Sequence, residues 1–64
     1  MLGEFLKNYR LKNNLKQSEL AEKIGTSQSY YSRIENNVVK PDINMIRKVA
    51  KALDLEESFI RSLI

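Results

Sequence analysis

Apolar residues along this chain recur at spacings of three and four, which is the period of an amphipathic α-helix. The first stripe runs through Leu2, Leu6 and Tyr9. The Asn13-Asn14 pair ends it, because asparagine tolerates the left-handed conformation that is common at helix C-termini. No segment alternates apolar and polar residues with a period of two, so no strand is predicted.

Two short helices with a glycine between them are predicted next. The first covers residues 17–24, and Gly25 directly after it suits a helix C-terminus, where a positive φ is usual. Thr26-Ser27 offers a hydroxyl N-cap for the second helix, which covers about residues 28–35.

The last third of the chain predicts two more helices. Pro41-Asp42 is a start signal for a fourth helix, with Asp42 as its N-cap and Leu53 as its last core residue. Leu55 is predicted to return to the core, and residues 56–64 form a short fifth helix. The pattern therefore predicts one all-α domain of five helices over the whole chain.

Composition excludes several function classes for these 64 residues. There is no cysteine and no histidine, so no disulfide, no zinc site and no imidazole-assisted catalysis is expected. No glycine-rich phosphate loop is present, and the serines lack a base to activate them, so we expect neither an enzyme nor a cofactor. No apolar run reaches the roughly 20 residues of a membrane span, and no signal segment is seen, which favours the cytoplasm.

Charge is unevenly distributed, although its sum is only +3. Residues 1–16 and residues 36–53 each carry four basic side chains against one acidic side chain. Residues 17–35 are nearly neutral, and residues 54–64 are acidic. Basic segments on both sides of a neutral middle are compatible with a nucleic-acid partner, and also with an ordinary solvated surface.

The most informative stretch is the predicted pair of helices around Gly25. Ala21 is small enough for two helices to cross closely, and Gly25 can take the backbone conformation that redirects the chain. This is the spacing of a helix-turn-helix, in which the two helices meet at roughly 90–120°. The outer face of the second helix carries side chains suited to the edges of DNA bases: Gln28, Ser29, Ser32 and Arg33.

Residues 15–36, LKQSELAEKIGTSQSYYSRIEN, resemble the helix-turn-helix of the Cro/phage-repressor family of transcriptional regulators (the xenobiotic-response-element type). The later stretch KPDINMIRKVAKALDLEESFI resembles the fourth and fifth helices of that family. The resemblance implies a compact lambda-repressor-like domain that binds double-stranded DNA, with its third helix in the major groove. It also implies a homodimer that acts as a repressor more often than as an activator.

The resemblance assigns roles to individual residues. The positions that reach bases match Gln28, Ser29, Ser32 and Arg33. The positions that hold phosphates match Gln17, Asn36 and Lys40, and Gln17 also matches a residue that braces the recognition helix. Tyr30 is expected beside them, against a phosphate or a thymine methyl. Arg10 and Glu35 match a structural ion pair between the first and third helices of some members.

Two residues depart from the family pattern. Thr26 stands where an aliphatic residue is common in the turn, and Tyr31 stands where Ile, Leu or Val usually packs. The Tyr31 ring must either enter the core with its hydroxyl at the edge or lean outward.

The apolar C-terminal segment is the candidate dimer interface, formed by Phe59, Ile60, Leu63 and Ile64. Phe59 and Ile60 are expected to face the core, whereas Leu63 and Ile64 leave an exposed apolar edge that a second copy could cover. The alternatives are a fragment of a longer chain and a frayed terminus.

Other interpretations stay open at this point. The rival function is a protein-interaction module, such as an antitoxin-like or sensor-coupled helix-turn-helix, that uses the surface of the fourth and fifth helices. Arg33 could pair with a nearby glutamate instead of a base, and Lys48 and Lys51 are expected on a solvated helix face.

Overall fold

Five α-helices joined by short turns make up the structure, a computed structural model that describes residues 1–64. The helices are α1 Leu2–Lys12, α2 Gln17–Ile24, α3 Gln28–Glu35, α4 Ile43–Leu53 and α5 Glu57–Ser62. The all-α prediction and the order of the five helices are confirmed. Helix α5 is shorter than predicted, because Glu56 is its N-cap and Leu63 its C-cap.

The predicted capping residues before and after α3 are confirmed. Gly25 closes α2 in the left-handed region, with a φ of 93°. Ser27 caps α3, its Oγ accepting a hydrogen bond from the Tyr30 N–H at 3.2 Å. Asp42 caps α4 in the same way, accepting from the Met45 N–H at 2.9 Å. These caps fix where α2 ends and where α3 and α4 start.

The hydrophobic core draws on all five helices. The largest fully buried side chains come one from each helix, in chain order Leu6, Leu20, Tyr31, Val49 and Ile60. Each of these side chains is therefore completely shielded from solvent by its neighbours, and this burial holds α3 against the rest of the domain. None of the helices combines the length and the apolar character that crossing a membrane requires.

Three sequence predictions about the C-terminal segment are wrong. Leu55 is 37% exposed instead of buried, because Asp54 ends α4 in a left-handed turn that takes Leu55 out of the helical stripe. Phe59 is 41% exposed and lies edge-on to the ring of Phe5, with 5.4 Å between their centroids, instead of facing the core. Ile60 is fully buried, which confirms that it faces the core but contradicts its assignment to the dimer interface.

Helix α1 lies against the C-terminal end of α3 at a point where only a glycine fits. Gly3 is buried, and a Cβ atom built on it would lie 2.3 Å from the backbone oxygen of Glu35. The same Cβ would lie 2.7 Å from the Oδ1 atom of Asn37. The absence of a side chain at Gly3 therefore permits the observed distance between α1 and α3.

Candidate nucleic-acid interface

The outward face of α3 presents most of the side chains that were predicted to reach bases. Gln28, Ser29 and Arg33 are exposed, and Ser32 is half-buried. Arg33 takes part in none of the ion pairs of the chain, so its guanidinium is not committed to a glutamate. Amide and guanidinium groups on one exposed helix face can form the paired hydrogen bonds that distinguish adenine and guanine.

The two serines of this face have neighbours within the chain. The Ser29 Oγ lies 3.4 Å from the Oγ of the N-cap Ser27. The Ser32 Oγ accepts a hydrogen bond from the Asn36 side-chain amide at 3.4 Å. Both contacts are long and exposed, so a competing acceptor or donor can replace them.

The predicted phosphate contacts flank α3. Lys40 is exposed in the loop after α3, and Asn36 is the exposed C-cap of that helix. Tyr30 is half-buried, because its side chain packs partly against the core. Gln17 is the first residue of α2, and its side chain turns toward α3.

The buried carboxylate of Glu35 joins α1, α2 and α3. Arg10 of α1 donates from Nε to Oε2 at 3.0 Å and from Nη2 to Oε1 at 2.9 Å, which is a bidentate ion pair. Gln17 of α2 donates from Nε2 to Oε1 at 3.2 Å. The Tyr31 hydroxyl donates to Oε2 at 2.5 Å. We call these four residues the Glu35 cluster.

The charged groups of the Glu35 cluster, Arg10 and Glu35, are hydrogen-bonded to each other and to their neighbours, which burial of charges requires. The third guanidinium nitrogen of Arg10, Nη1, donates to the backbone oxygen of Leu15 at 3.2 Å. No buried side-chain nitrogen or oxygen of the chain lacks a partner. The cluster therefore holds α3 against α1 and α2 through directed bonds, in addition to the apolar core.

Hydrogen bonds keep the Glu35 carboxylate ionised despite its burial. Burial alone raises the pKa of Glu35, but hydrogen bonds from Arg10, Tyr31 and Gln17 together outweigh burial and lower the pKa below its ordinary value. The pKa of Arg10 is raised, mainly by its hydrogen bond to Glu35. The pKa of Tyr31 is raised, first by burial and then by Glu35, so its hydroxyl stays protonated and can donate.

Sequence reasoning missed the contact of Tyr31 with Glu35, whereas it expected Gln17 to brace α3 without identifying Glu35 as its partner. Of the two placements open to the Tyr31 ring, the structure has the ring in the core, and the hydroxyl meets Glu35 instead of solvent. The spacing of four between Tyr31 and Glu35 on one helix is a signal that could have indicated this contact. Gln17 carries no such local signal, because its partner lies on another helix.

Lys48 was expected to be only solvated, but its ammonium group donates to the Gly25 backbone oxygen at 3.4 Å.

The exposed apolar surface proposed as the dimer interface is smaller than predicted. Ile64 is 41% exposed, and Leu63 is half-buried against the core. Both line an apolar cleft of about 90 Å³ with Met1, Leu2 and Val39, and Lys40 lies at this cleft. The edge therefore borders the loop that carries a predicted phosphate contact.

Comparison with known proteins finds a matching family model and several similar proteins. The helix-turn-helix family model HTH_3 matches residues 6–60. The HTH-type transcriptional regulator SinR of Bacillus subtilis strain 168 is 43% identical over 56 residues, which are 86% of this chain and 50% of SinR. The ImmF control region 10 kDa protein of Bacillus phage phi105 is 32% identical over 60 residues, which are 94% of this chain and 67% of that protein.

A solved structure is similar over nearly the whole chain. The crystal structure of SinR, the master regulator for biofilm formation, in complex with DNA superposes with a TM-score of 0.80 and 39% identity. The match covers 95% of this chain and 98% of the SinR chain in that crystal. The chain spans about half the length of the full SinR proteins that it matches.

Proposed function

This chain belongs to the helix-turn-helix family HTH_3, and from that membership we propose that it is a transcriptional regulator that binds double-stranded DNA sequence-specifically. The observation that carries the proposal is the likeness to SinR in complex with DNA, at a TM-score of 0.80 over 95% of the chain. The exposed polar face of α3 supports it, because amide and guanidinium groups on a firmly held helix suit the major groove.

Base and phosphate contacts have separate roles in the proposed complex. Gln28 pairs with an adenine and Arg33 with a guanine, while the small Ser29 and Ser32 let α3 approach the base edges. Phosphate contacts set the register of the helix and carry no sequence information themselves. We assign them to Gln17, Tyr30, Asn36 and Lys40.

A homodimer is the proposed functional form. Two copies related by a two-fold axis would place their α3 helices in successive major grooves, about 34 Å apart. The proposed interface consists of Phe59, Leu63 and Ile64, whose apolar surface is exposed or half-buried. Such a dimer on a promoter acts as a repressor by occlusion, and its proposed location is the cytoplasm.

Selection of bound sequences from a random duplex pool tests the proposed function directly. We expect enrichment of a palindromic motif with half-sites one helical turn apart, together with a dimer by sedimentation on that duplex. A pool without enrichment, in a preparation that is folded by circular dichroism, would contradict sequence-specific binding. A selected motif without a palindrome would support sequence-specific DNA binding but contradict the proposed homodimer.

Alanine in place of Gln28 or Arg33 should weaken binding to the selected site by about 1–3 kcal/mol and relax the preference at one base pair. The reason is that each side chain reads one base through paired hydrogen bonds. Titration against single-base variants of the site measures both effects. If affinity for random duplex falls by the same factor as affinity for the selected site, the residue does not read a base.

Alanine in place of Lys40 should weaken binding to all sequences alike and flatten the slope of log affinity against log salt by about one unit. Lys40 is exposed in the loop after α3, so it can neutralise one phosphate and release its counterion. Lys51→Ala, at an exposed lysine on α4, is the matched control and should leave the slope unchanged. An unchanged slope in Lys40→Ala would remove Lys40 from the phosphate contacts.

A protein partner is the second candidate, and the exposed apolar side chains near α5 favour it. Leu55 is 37% exposed and Phe59 is 41% exposed, and neither belongs to α3. A partner on this surface could act without DNA. Binding to mixed-sequence duplexes at low and moderate salt separates the two candidates, because a module that binds only protein shows no salt-dependent DNA affinity.

A further inference from the structure

Tyr31 combines a core side chain with a polar group that reaches the Glu35 cluster. Its ring has no exposed surface, and its hydroxyl donates to the Oε2 atom of Glu35 one helical turn later. An aliphatic residue here could fill the same space, but it could not donate. The hydroxyl is therefore the feature of Tyr31 that packing alone does not explain.

The Tyr31 hydroxyl binds one oxygen of the planar Glu35 carboxylate, and Gln17 of α2 binds the other oxygen. Oε2 accepts from Tyr31 and from the Nε of Arg10, and Oε1 accepts from the Nη2 of Arg10 and from Gln17. Because the two oxygens are rigidly linked, a donor that fixes Oε2 also fixes the direction in which Oε1 meets Gln17. The Tyr31 hydroxyl and the Gln17 amide are thus coupled through the Glu35 carboxylate.

Gln17 has hydrogen-bonding capacity left after this contact. Its amide carries two N–H groups, and one of them donates to Glu35 at 3.2 Å. Gln17 is also the first residue of α2, where the helix dipole favours an anion. The bond to Glu35 therefore orients the second N–H, which can donate to a phosphate at the start of α2.

We infer that Tyr31 is a positioning residue, whose hydroxyl fixes the Glu35 carboxylate so that Gln17 is held in place to contact a DNA phosphate. The arrangement within the free protein stands by itself, whereas the phosphate contact rests on the proposed function. Tyr31 touches no DNA in this assignment. It acts through Glu35 and Gln17, from inside the core.

The free protein provides the first test, through the variant Tyr31→Phe, which keeps the ring and removes the hydroxyl. We expect the side-chain amide signals of Gln17 in a ¹H–¹⁵N NMR spectrum to shift, and their exchange with solvent to accelerate by about 2- to 10-fold, the range of one lost hydrogen bond. Tyr9→Phe is the matched control, because the Tyr9 hydroxyl accepts from Lys23 at 3.1 Å and has no contact with Glu35. Unchanged Gln17 signals in Tyr31→Phe would overturn the inference.

A wild-type measurement guards against poor folding of the variant. The Tyr31 hydroxyl proton should exchange slowly and show a nuclear Overhauser effect to the side-chain methylene protons of Glu35, because the hydroxyl is buried and hydrogen-bonded. A Tyr31 hydroxyl that exchanges as fast as that of Tyr9 would overturn the inference without any substitution.

A double-mutant cycle on DNA affinity gives the second test. Tyr31→Phe should weaken binding to the selected duplex about 2- to 10-fold in the wild-type background and leave it unchanged in a Gln17→Ala background. An equal loss in both backgrounds would mean that the hydroxyl only stabilises the domain, which overturns the coupling to Gln17. If the wild-type protein binds no duplex, the proposed function fails, while the Gln17 signals of the free protein still decide whether Tyr31 positions that side chain.

Discussion

Replacement of Glu35 by alanine is expected to destabilise the domain by about 3–5 kcal/mol, the cost of removing one partner from a buried ion pair. The Glu35 side chain is 4% exposed and the Arg10 side chain 13% exposed, so Arg10 would keep a buried charge without a counter-charge. Tyr31 and Gln17 would also lose their acceptor. A 64-residue domain has a total stability of only about 3–10 kcal/mol, so the variant should be partly unfolded at 25 °C.

Urea denaturation followed by circular dichroism measures this loss. The control is Glu57→Ala, because Glu57 pairs with Arg47 at 3.5 Å and with Arg61 at 3.3 Å on the surface, where all three side chains are at least 41% exposed. Exposed ion pairs contribute about 0–1 kcal/mol, so this variant should remain near the wild type. Equal losses for the two variants would contradict a special role for the Glu35 cluster.

The Glu35 cluster should make the domain less stable as the pH falls into the acidic range. The pKa of Glu35 is lowered in the folded protein, with burial opposing and the bonds from Arg10, Tyr31 and Gln17 favouring the charged form. A lowered pKa stabilises the fold fully above the unfolded value of about 4.3 and loses that contribution as the pH falls through the folded value. The stability difference between the wild type and Glu35→Gln should therefore be largest at neutral pH and shrink below about pH 4.3.

Local signals in the sequence predict the helices of this fold well. The ends of α2, α3 and α4 follow from Gly25, Ser27 and Asp42, whose effects on a helix end depend on only a few neighbouring residues. The outer face of α3 follows from the helical spacing of its apolar residues, because Tyr31 and Ile34 occupy the inner face. Fold class and candidate base contacts therefore need no knowledge of tertiary packing.

Which element covers an apolar side chain is not a local property. The stripe of α5 presents Phe59 and Ile60 as similar residues, yet the first is 41% exposed and the second fully buried. Their difference depends on where α1 and α4 lie relative to α5, which no spacing within α5 records. The bracing of α3 by Gln17 was likewise expected only from the family resemblance, and Glu35 could not be identified as its partner from spacing, since that depends on the contact between α2 and α3.

Gly3 is the strongest case of a residue whose importance only the tertiary structure reveals. In the sequence it is a glycine inside an amphipathic helix, where it would be expected to weaken α1 by about 0.5–1 kcal/mol relative to alanine. In the structure, a Cβ atom on it would lie 2.3 Å from the backbone oxygen and 2.9 Å from the backbone carbon of Glu35. The local and tertiary expectations for alanine at this position therefore have opposite signs.

Gly3→Ala is expected to destabilise the domain by about 2–3 kcal/mol, the cost of overpacking a site whose neighbour is backbone and cannot rotate away. Thermal denaturation should show a melting temperature lower by on the order of 10–20 °C for a domain of this size. Asn8→Ala, at an exposed position of the same helix, is the matched control and should be neutral or slightly stabilising through helix propensity.

A second glycine separates a steric cause from a conformational one. Gly25 has no atom within 4 Å of a built Cβ, but its φ of 93° strains any side chain, so Gly25→Ala should cost about 1–2 kcal/mol without disturbing α1. Gly3→Ala should instead shift the backbone NMR signals of Glu35 and Asn37, because α1 must move away from the end of α3. If Gly3→Ala melts at or above the wild-type temperature, α1 does not approach α3 this closely, and the distance across which Arg10 reaches Glu35 is then wrong as well.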